Sequence, residues 1–424
     1  MQFLDSLNAL IWGSGLIVLL LAAGVFCLIC CGRDMLDALR QTERIPLTAC
    51  LTSLGAAMGT GNIAGVASAL VLGGPGAIFW MWAAGICGAG LLFAENVLSA
   101  RFRRGEITGA PAYLRYGLGS PLLAGGFAVC CIAASFGMGC MTQTYTMAMT
   151  LKAACSVPPA VTGLLAAGIT AAVILGGAGR IGKFLTAAVP VVSVLYLGMT
   201  LTVIVRNGAH LGEAFAAIFR DAFGWDAAAG GIAGEAVRRA VSAGVRRGVF
   251  SNEAGLGSSG LLHSDADAPP GALGICAVGE LIADTFLCCT LTALAILTSG
   301  VTGEDADLLI LSAFRTGLGR GADFLLPPVT AAFALCTLIG WSFCGAQALA
   351  GLTGGRYLMG YRAVFCLAAL LGACVDAEIV WTIADIANGM MAYCNLPGVI
   401  LLAGGAERQV SEQAACAGSA PLDI

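Results

Sequence analysis

Two short stretches combine residue types that hold small ions and zwitterions without being charged themselves. The first is Gly55-Ala56-Ala57-Met58-Gly59-Thr60-Gly61-Asn62; the second runs Gly248-Val249-Phe250-Ser251-Asn252-Glu253-Ala254-Gly255-Leu256-Gly257-Ser258-Ser259-Gly260. Each Gly lowers helix stability by about 1 kcal/mol relative to Ala, so clustered Gly predict unwound backbone. Freed carbonyls coordinate a cation, while the new helix N-terminus offers free N–H groups and positive dipole to an anion. Asn62, Thr60, Ser251 and Asn252 add neutral side-chain oxygens at the same places.

The elements that carry these stretches are set by composition. The chain has 424 residues, 58% apolar and only 11% charged. That is less than half the charge of an ordinary soluble domain and too little to cover a soluble surface of this size, so the chain reads as an integral membrane protein. A net charge of −4 with no basic run excludes nucleic acid as a partner. The 18 Cys lie in apolar stretches without metal-ligand spacing, and His210 and His263 fall in loops. The Cys are accordingly read as small buried apolar residues rather than metal or disulfide positions. Two loop His assemble no Ser-His-Asp set, and no nucleotide motif appears, so enzyme chemistry is not expected.

Charge-free runs mark the spans. Ile45 to Ala94 is a run of 50, split by Gly73-Gly74-Pro75-Gly76. Others are Tyr116–Leu151, Ala153–Gly179, Phe184–Val205, Thr285–Gly303 and Phe324–Gly355. With Leu10–Cys31, the segment Ala228–Leu262 and two C-terminal stretches, the reading is all-α with eleven transmembrane helices. With the N-terminus outside, the inside loops carry Arg33, Arg40, Arg44, Arg101, Arg103, Arg104, Arg115, Arg180, Lys183, Arg356, Arg362 and Arg408. The outside loops carry only Lys152, Arg206, Arg220, Arg315 and Arg320, so N-out, C-in is favoured. No basic residue precedes Leu10–Cys31, which reads as a true span rather than a cleaved signal.

Each interrupted helix is followed by four more spans, starting from opposite sides. This predicts two five-helix halves of inverted topology: an N-terminal helix and inner loop (1–45), a first repeat (46–207), an outer amphipathic segment (208–227), a second repeat (228–403) and a cytoplasmic tail (404–424). Paired interrupted segments at matching positions point to the binding site of a secondary transporter. Single Gly elsewhere read as helix-packing residues, since small residues recur throughout. Ala209–Phe223 has the spacing of a surface helix, Leu308–Phe324 reads as a second outer segment covering the entrance, and the chain after Glu407 reads as disordered.

Acidic residues inside spans are functional candidates by default. Asp284, at the start of its span, reads either as an ion neighbour or as a partner for exposed helix ends. Glu95 is expected to pair with Arg101, Arg103 or Arg104 at the inner face. Glu253 is expected to pair with Arg246 or Arg247; Asp385 is left open and Glu280 has no account.

Three blocks then carry a family resemblance: GTGNIAGVASA at Gly59–Ala69 running into GGPGAIFWMW at Gly73–Trp82; RRGVFSNEAGLGSS at Arg246–Ser259; and CTLIGWSFCG at Cys336–Gly345, with VWTIADIANGMMAYCNLPG at Val380–Gly398 behind it. The chain resembles the alanine or glycine:cation symporter family of the amino acid-polyamine-organocation superfamily, whose members share the inverted-repeat fold of the leucine-type transporters. The resemblance spans about Thr48 to Leu402. It implies import of a small neutral amino acid coupled to a sodium ion, by alternating access, in a cell (inner or plasma) membrane, with no cofactor beyond the coupling ion. Carried over, Ala57, Gly59, Thr60, Gly61, Gln143, Ser251, Thr337 and Trp341 would meet substrate. Asn62, Asn252, Thr337 and Asp284 would serve sodium.

The chain departs from the family pattern at three places. Tyr145 stands where the family has Asn, Leu273-Gly274 replaces Gln-Gly, and Cys336 replaces a hydroxyl residue before Thr337. A Cys is a poor sodium ligand, so a second sodium site there would be weakened. Three alternatives stay open. They are a proton-coupled carrier using Asp284, Glu253 or Asp385, an amino-acid sensor that does not transport, and, least favoured, a channel.

Overall fold

The computed structural model describes residues 2–40, 47–224, 233–303 and 305–418. Arg44, residues 225–232 at the start of the second interrupted segment, and residues 419–424 lie outside it. Among the described residues the chain is helical, with one isolated antiparallel bridge, Arg104 to Ile107.

The helices, in order, are α1 (Gln2–Ile11), α2 (Ser14–Arg40), α3 (Leu47–Ala57), α4 (Ala64–Gly73), α5 (Gly76–Phe102), α6 (Gly109–Ala112), α7 (Pro121–Phe136) and α8 (Thr142–Cys155). There follow α9 (Pro159–Ile174), α10 (Ala178–Arg206), α11 (Leu211–Ala222), α12 (Ala233–Asn252), α13 (Ser259–Leu262), α14 (Pro270–Leu281) and α15 (Thr290–Ser299). The chain ends with α16 (Ala306–Leu318), α17 (Ala322–Thr353), α18 (Leu358–Gly372) and α19 (Ala377–Gly418). Among the described residues, seven helical stretches are long and apolar enough to cross a membrane, and three shorter apolar helices accompany them: Ala64–Gly73, Pro159–Ile174 and Leu358–Gly372. Large apolar side chains such as Leu122, Val194, Val205 and Leu401 are exposed, the surface expected of a protein solvated by lipid.

Several boundaries move from the sequence expectation, each for a local reason. The stretch expected to start at Thr285 is one helical run from Pro270 to Ser299, and Asp284 lies well inside it. Charge-free runs miss the first half because Glu280 and Asp284 are buried there on polar partners rather than at an end. The amphipathic segment forms α11, whose Asp221 accepts a 2.7 Å bond from Gly76 N and so caps α5. The tail does not break after Glu407: α19 continues to Gly418 through a stretch rich in Ala, Glu and Gln, all good helix formers.

α5 and α12 form the centre. α12 packs along α5 and α4, while α2 and α14 cover other faces of α5. α17 spans the other side of the molecule, against α7, α8, α3 and α10, and α19 lies against α7, α2 and α5. The two interruptions, between α3 and α4 and between α12 and α13, are thereby enclosed by α5, α8, α14 and α17.

Candidate functional site

The first interruption is short. α3 stops at Ala57, Gly59 is extended (φ −132°), a 3₁₀ turn covers Thr60–Asn62, and α4 restarts at Ala64. Asn62 Oδ1 folds back to accept Gly59 N–H at 3.1 Å, which holds the turn. Thr60 donates twice to Gln143 Oε1, from its N–H at 3.1 Å and its hydroxyl at 2.9 Å. Gln143 is itself aimed by a 3.0 Å bond from its amide to Met138 O, in the π-helical turn joining α7 to α8. A Cβ on Gly59 would lie 2.2 Å from Thr337 Oγ1 and 3.0 Å from Gln143 Oε1, so α17 can approach only a glycine here. Thr337 Oγ1 is buried and makes no hydrogen bond among the described residues, a hydroxyl available to a ligand.

The second interruption is built differently. α12 ends at Asn252, after which Glu253 (φ +59°), Gly255 (+83°) and Gly257 (+76°) all take the left-handed conformation. For a Glu this costs roughly 1–3 kcal/mol, and the surroundings hold it there. Glu253 Oε1 accepts Trp341 Nε1–H at 2.8 Å, and Oε2 accepts the Ser258 hydroxyl. Gly257 is wedged so tightly that a Cβ would sit 2.9 Å from Ala110, Asn395 and Phe127.

Asp284 joins the two. It is fully buried in a π-helical turn between α14 and α15 (Ile282–Cys289). Its Oδ1 accepts Asn62 Nδ2–H at 2.6 Å from the first interruption, and its Oδ2 accepts the Ser251 hydroxyl at 2.7 Å from the end of α12. Thr285 Oγ1 adds a 3.0 Å bond to Oδ2 and accepts Asn252 Nδ2–H at 3.1 Å. Among the described residues no Arg, Lys or His forms an ion pair with Asp284. A buried carboxylate with only neutral donors is costly, and a cation at the same place relieves that cost.

The sequence-derived candidates therefore fall in two groups. Gly59, Thr60, Gln143 and Thr337 converge, and Gly61 sits beside them against the Phe250 ring and the Ser251 backbone. Asn62, Ser251 and Asp284 form the junction, with Asn252 attached through Thr285. Ala57 lines a small cavity with Asn252, Glu253 and Asp284. Trp341 belongs to the second interruption, braced on Glu253 and packed on Gly139. Tyr145 is half-buried. Two residues on from Gln143 is about 200° round the helix, so it faces away from Thr60.

Three expectations are overturned. Glu253 pairs with Trp341 and Ser258, and the arginines go elsewhere: Arg246 reaches Asp385 at 2.6 Å and Arg247 at 3.5 Å. Glu95 is fully buried and accepts Asn395 Nδ2–H at 2.6 Å instead of meeting Arg101, Arg103 or Arg104. Six residues separate Glu95 from Arg101, about 9 Å along the helix, which carries the arginines beyond its reach. His263 lies in the turn after α13, as the loop reading expected, and is buried there 3.0 Å from Glu280. Cys50 and Cys276, read as apolar filler, are bonded to each other. Asn395, Ser53 and Ser258 were not singled out at all, because a polar residue in an apolar helix gives no sign of its distant partner.

The family model described as the sodium:alanine symporter family matches residues 1–417. The sodium/alanine symporter AgcS of Methanococcus maripaludis is 36% identical, over 95% of this chain and 95% of its own. A Bacillus subtilis relative, GlnT, provisionally named a sodium/glutamine symporter, is 33% identical over 93% of this chain and 87% of its own. Another from Bacillus subtilis, YrbD, provisionally named a sodium/proton-dependent alanine carrier protein, is 30% identical over 95% of this chain and 90% of its own. This is a family of transporters, not enzymes, and its members are multi-pass proteins of the cell membrane. With a match over nearly its whole length, the chain belongs to the sodium:alanine symporter family.

Proposed function

We propose that this protein imports a small neutral amino acid, alanine or glycine, together with a sodium ion by alternating access. The observation that carries the reading is Asp284, an unneutralised buried carboxylate bonded at once to both interrupted segments, by Asn62 and by Ser251. A sodium ion there would take oxygen from Asp284, Ser251 and Asn62, with Asn252 one bond away through Thr285. It would also tie together two segments whose relative movement opens and closes the path. Beside it, the backbone N–H groups of Gly59 and Thr60, held by Asn62 and Gln143 in this structure, would turn to an amino-acid carboxylate without any Lys or Arg. Thr337 closes the opposite wall.

In this reading the chain crosses the membrane eleven times, N-out and C-in, as one leading helix followed by two inverted five-helix repeats. The first repeat runs from α3 to α10 and the second from α12 to α19. α16 covers the outer entrance. The enclosed cavity at the second interruption is about 10 Å³, room for roughly one water, so substrate needs a rearrangement to enter.

The same carboxylate suits a proton as the coupling ion, and this is the second reading. Liposomes holding the purified protein separate the two. Radiolabelled alanine uptake is measured under an inward sodium gradient, an equal potassium gradient, and a proton gradient without sodium at fixed outside pH. Uptake with sodium alone, lost in Asn62→Ala, supports the symporter; uptake under the proton gradient without sodium moves the coupling to H⁺. No uptake under any gradient, with alanine binding retained, leaves a sensor.

A further inference from the structure

One helical turn from Asp284, potential metal ligands meet where α3, the turn after α13 and α14 come together: Cys50, Cys276 and Glu280, with His263 against Glu280. The Cys50 and Cys276 sulfurs and a Glu280 carboxylate oxygen all lie within 4.8 Å of one another. Glu280 Oε1 is 3.3 Å from Cys276 Sγ and 3.0 Å from His263 Nε2. The two sulfurs are bonded to each other in this structure.

The surroundings are those of a built site. His263 Nδ1 lies 3.0 Å from Ser259 O, which requires the proton on Nδ1 and leaves Nε2 to face Glu280. Metal-binding His residues are characteristically oriented by such a bond on the other nitrogen. The second oxygen of Glu280 accepts the Ser53 hydroxyl at 2.8 Å, fixing the carboxylate in the same way. Two sulfurs, an imidazole nitrogen and a carboxylate oxygen are the donor types that a borderline-soft divalent ion such as Zn²⁺ takes in four-coordinate sites. There is also a way in: a cavity of about 370 Å³ is lined by Ala49, Thr52, Leu262, Asp265 and Asp267. Leu262 is shared with the lining at Glu280, and the two aspartates draw cations to the mouth.

We propose that Cys50, Cys276, His263 and Glu280 form a Zn²⁺ site when the Cys50–Cys276 disulfide is reduced. A dithiol supplies two electrons and two protons; the protein disulfide becomes two thiols and the dithiol becomes a disulfide. Zn²⁺ then displaces both thiol protons and the proton held between His263 and Glu280. The placement of this cluster on the cytoplasmic side rests on the orientation proposed above. There, thiols are the resident form and disulfides are rare. A bound ion joins α3 to the segment after α13 and to α14, so it holds the inner halves of both interrupted helices together and stops transport.

The test is on the full chain in detergent, where metal binding is read without any gradient and so stands or falls apart from the transport reading. The protein is treated with dithiothreitol, freed of it by gel filtration, and titrated with Co²⁺. The expected result is one Co²⁺ per chain, with thiolate-to-cobalt charge-transfer absorption and the visible bands of a tetrahedral ion, all bleached by Zn²⁺. The unreduced protein, Cys50→Ser, Cys276→Ser and His263→Ala should lack that spectrum while eluting as folded protein. Cys155→Ser and Cys374→Ser, at exposed thiols, should keep it. Ser53→Ala, which acts only through Glu280, should weaken affinity roughly tenfold. No tetrahedral spectrum in the reduced protein, or an unchanged spectrum in Cys276→Ser, overturns the proposal. So does Zn²⁺ bound by the reduced protein without inhibiting alanine uptake, as far as the transport block is concerned.

Discussion

The two interrupted helices break in opposite ways. The first leaves its polar groups pointing at neighbours from other helices: Thr60 at Gln143, Asn62 at Asp284, Gly59 at Thr337. The second is braced from within and from α17, with three left-handed residues in a row of five and a carboxylate tied to Ser258 and Trp341. In the proposed reading the first break faces a guest, whereas Glu253 and Ser258 of the second hold its own shape. Substitutions in the first should therefore strike transport in a folded protein, and substitutions in the second should strike stability first.

The largest effect is expected at the residue both breaks share. Asp284→Asn removes the charge that answers a cation and should cut sodium-driven uptake roughly 100-fold, about 3 kcal/mol from charge-assisted contacts. Elution and thermal unfolding in detergent should stay near wild type; a variant that transports normally would sink the assignment. Next is a contrast inside the first break. Gly59→Ala drives a Cβ into Thr337 and Gln143 and should cost alanine binding about 1–3 kcal/mol, measured by calorimetry. Gly61→Ala meets the Phe250 ring at 3.3 Å, which can shift, and the Ser251 backbone at an ordinary 3.5 Å, and should be the milder of the two.

In the second break, Trp341→Phe leaves Glu253 Oε1 without its donor. That should lower stability by about 1–3 kcal/mol, seen as a lower unfolding temperature. If instead unfolding is unchanged and transport is lost, the contrast between the breaks fails and Trp341 contacts substrate directly. The smallest effect is expected for Asn252→Ala, which removes one bond to Thr285 and one to Ala254 N, about 1 kcal/mol each at most. Its uptake should fall less than that of Asn62→Ala, because Asn62 touches Asp284 directly.

A second contrast lies in the charges. Arg246 and Arg247 converge on Asp385, with Arg247 over the Trp381 ring at 4.6 Å and Arg246 over Trp12 at 5.5 Å. Trp12 also donates to Asp385 O at 2.7 Å, so the segment joining α1 to α2 is part of this cluster. None of it was visible from neighbouring residues. Proximity along the chain suggested Glu253 for the arginines, but a left-handed Glu253 turns its carboxylate toward α17.

The sequence by itself determined the solvent, the helices and the breaks. Too few charges for a watery surface mean lipid, long apolar runs mean helices, and clustered Gly with Asn, Ser and Thr mean unwound backbone at chosen points. These are local consequences of composition and propensity, readable within a window of about twenty residues. Asn62, Ser251 and Asp284 stood out as candidates because a polar group in a membrane helix must have a partner, and the family resemblance is what assigned them substrate and sodium roles. Which partner it finds was decided only by the tertiary structure. Glu95 with Asn395, Arg246 with Asp385, and Cys50 with Cys276 lie 300, 139 and 226 residues apart. In an apolar interior every buried polar group must be satisfied, but the choice among equivalent donors is made by how the helices cross, and that is a property of the packed molecule.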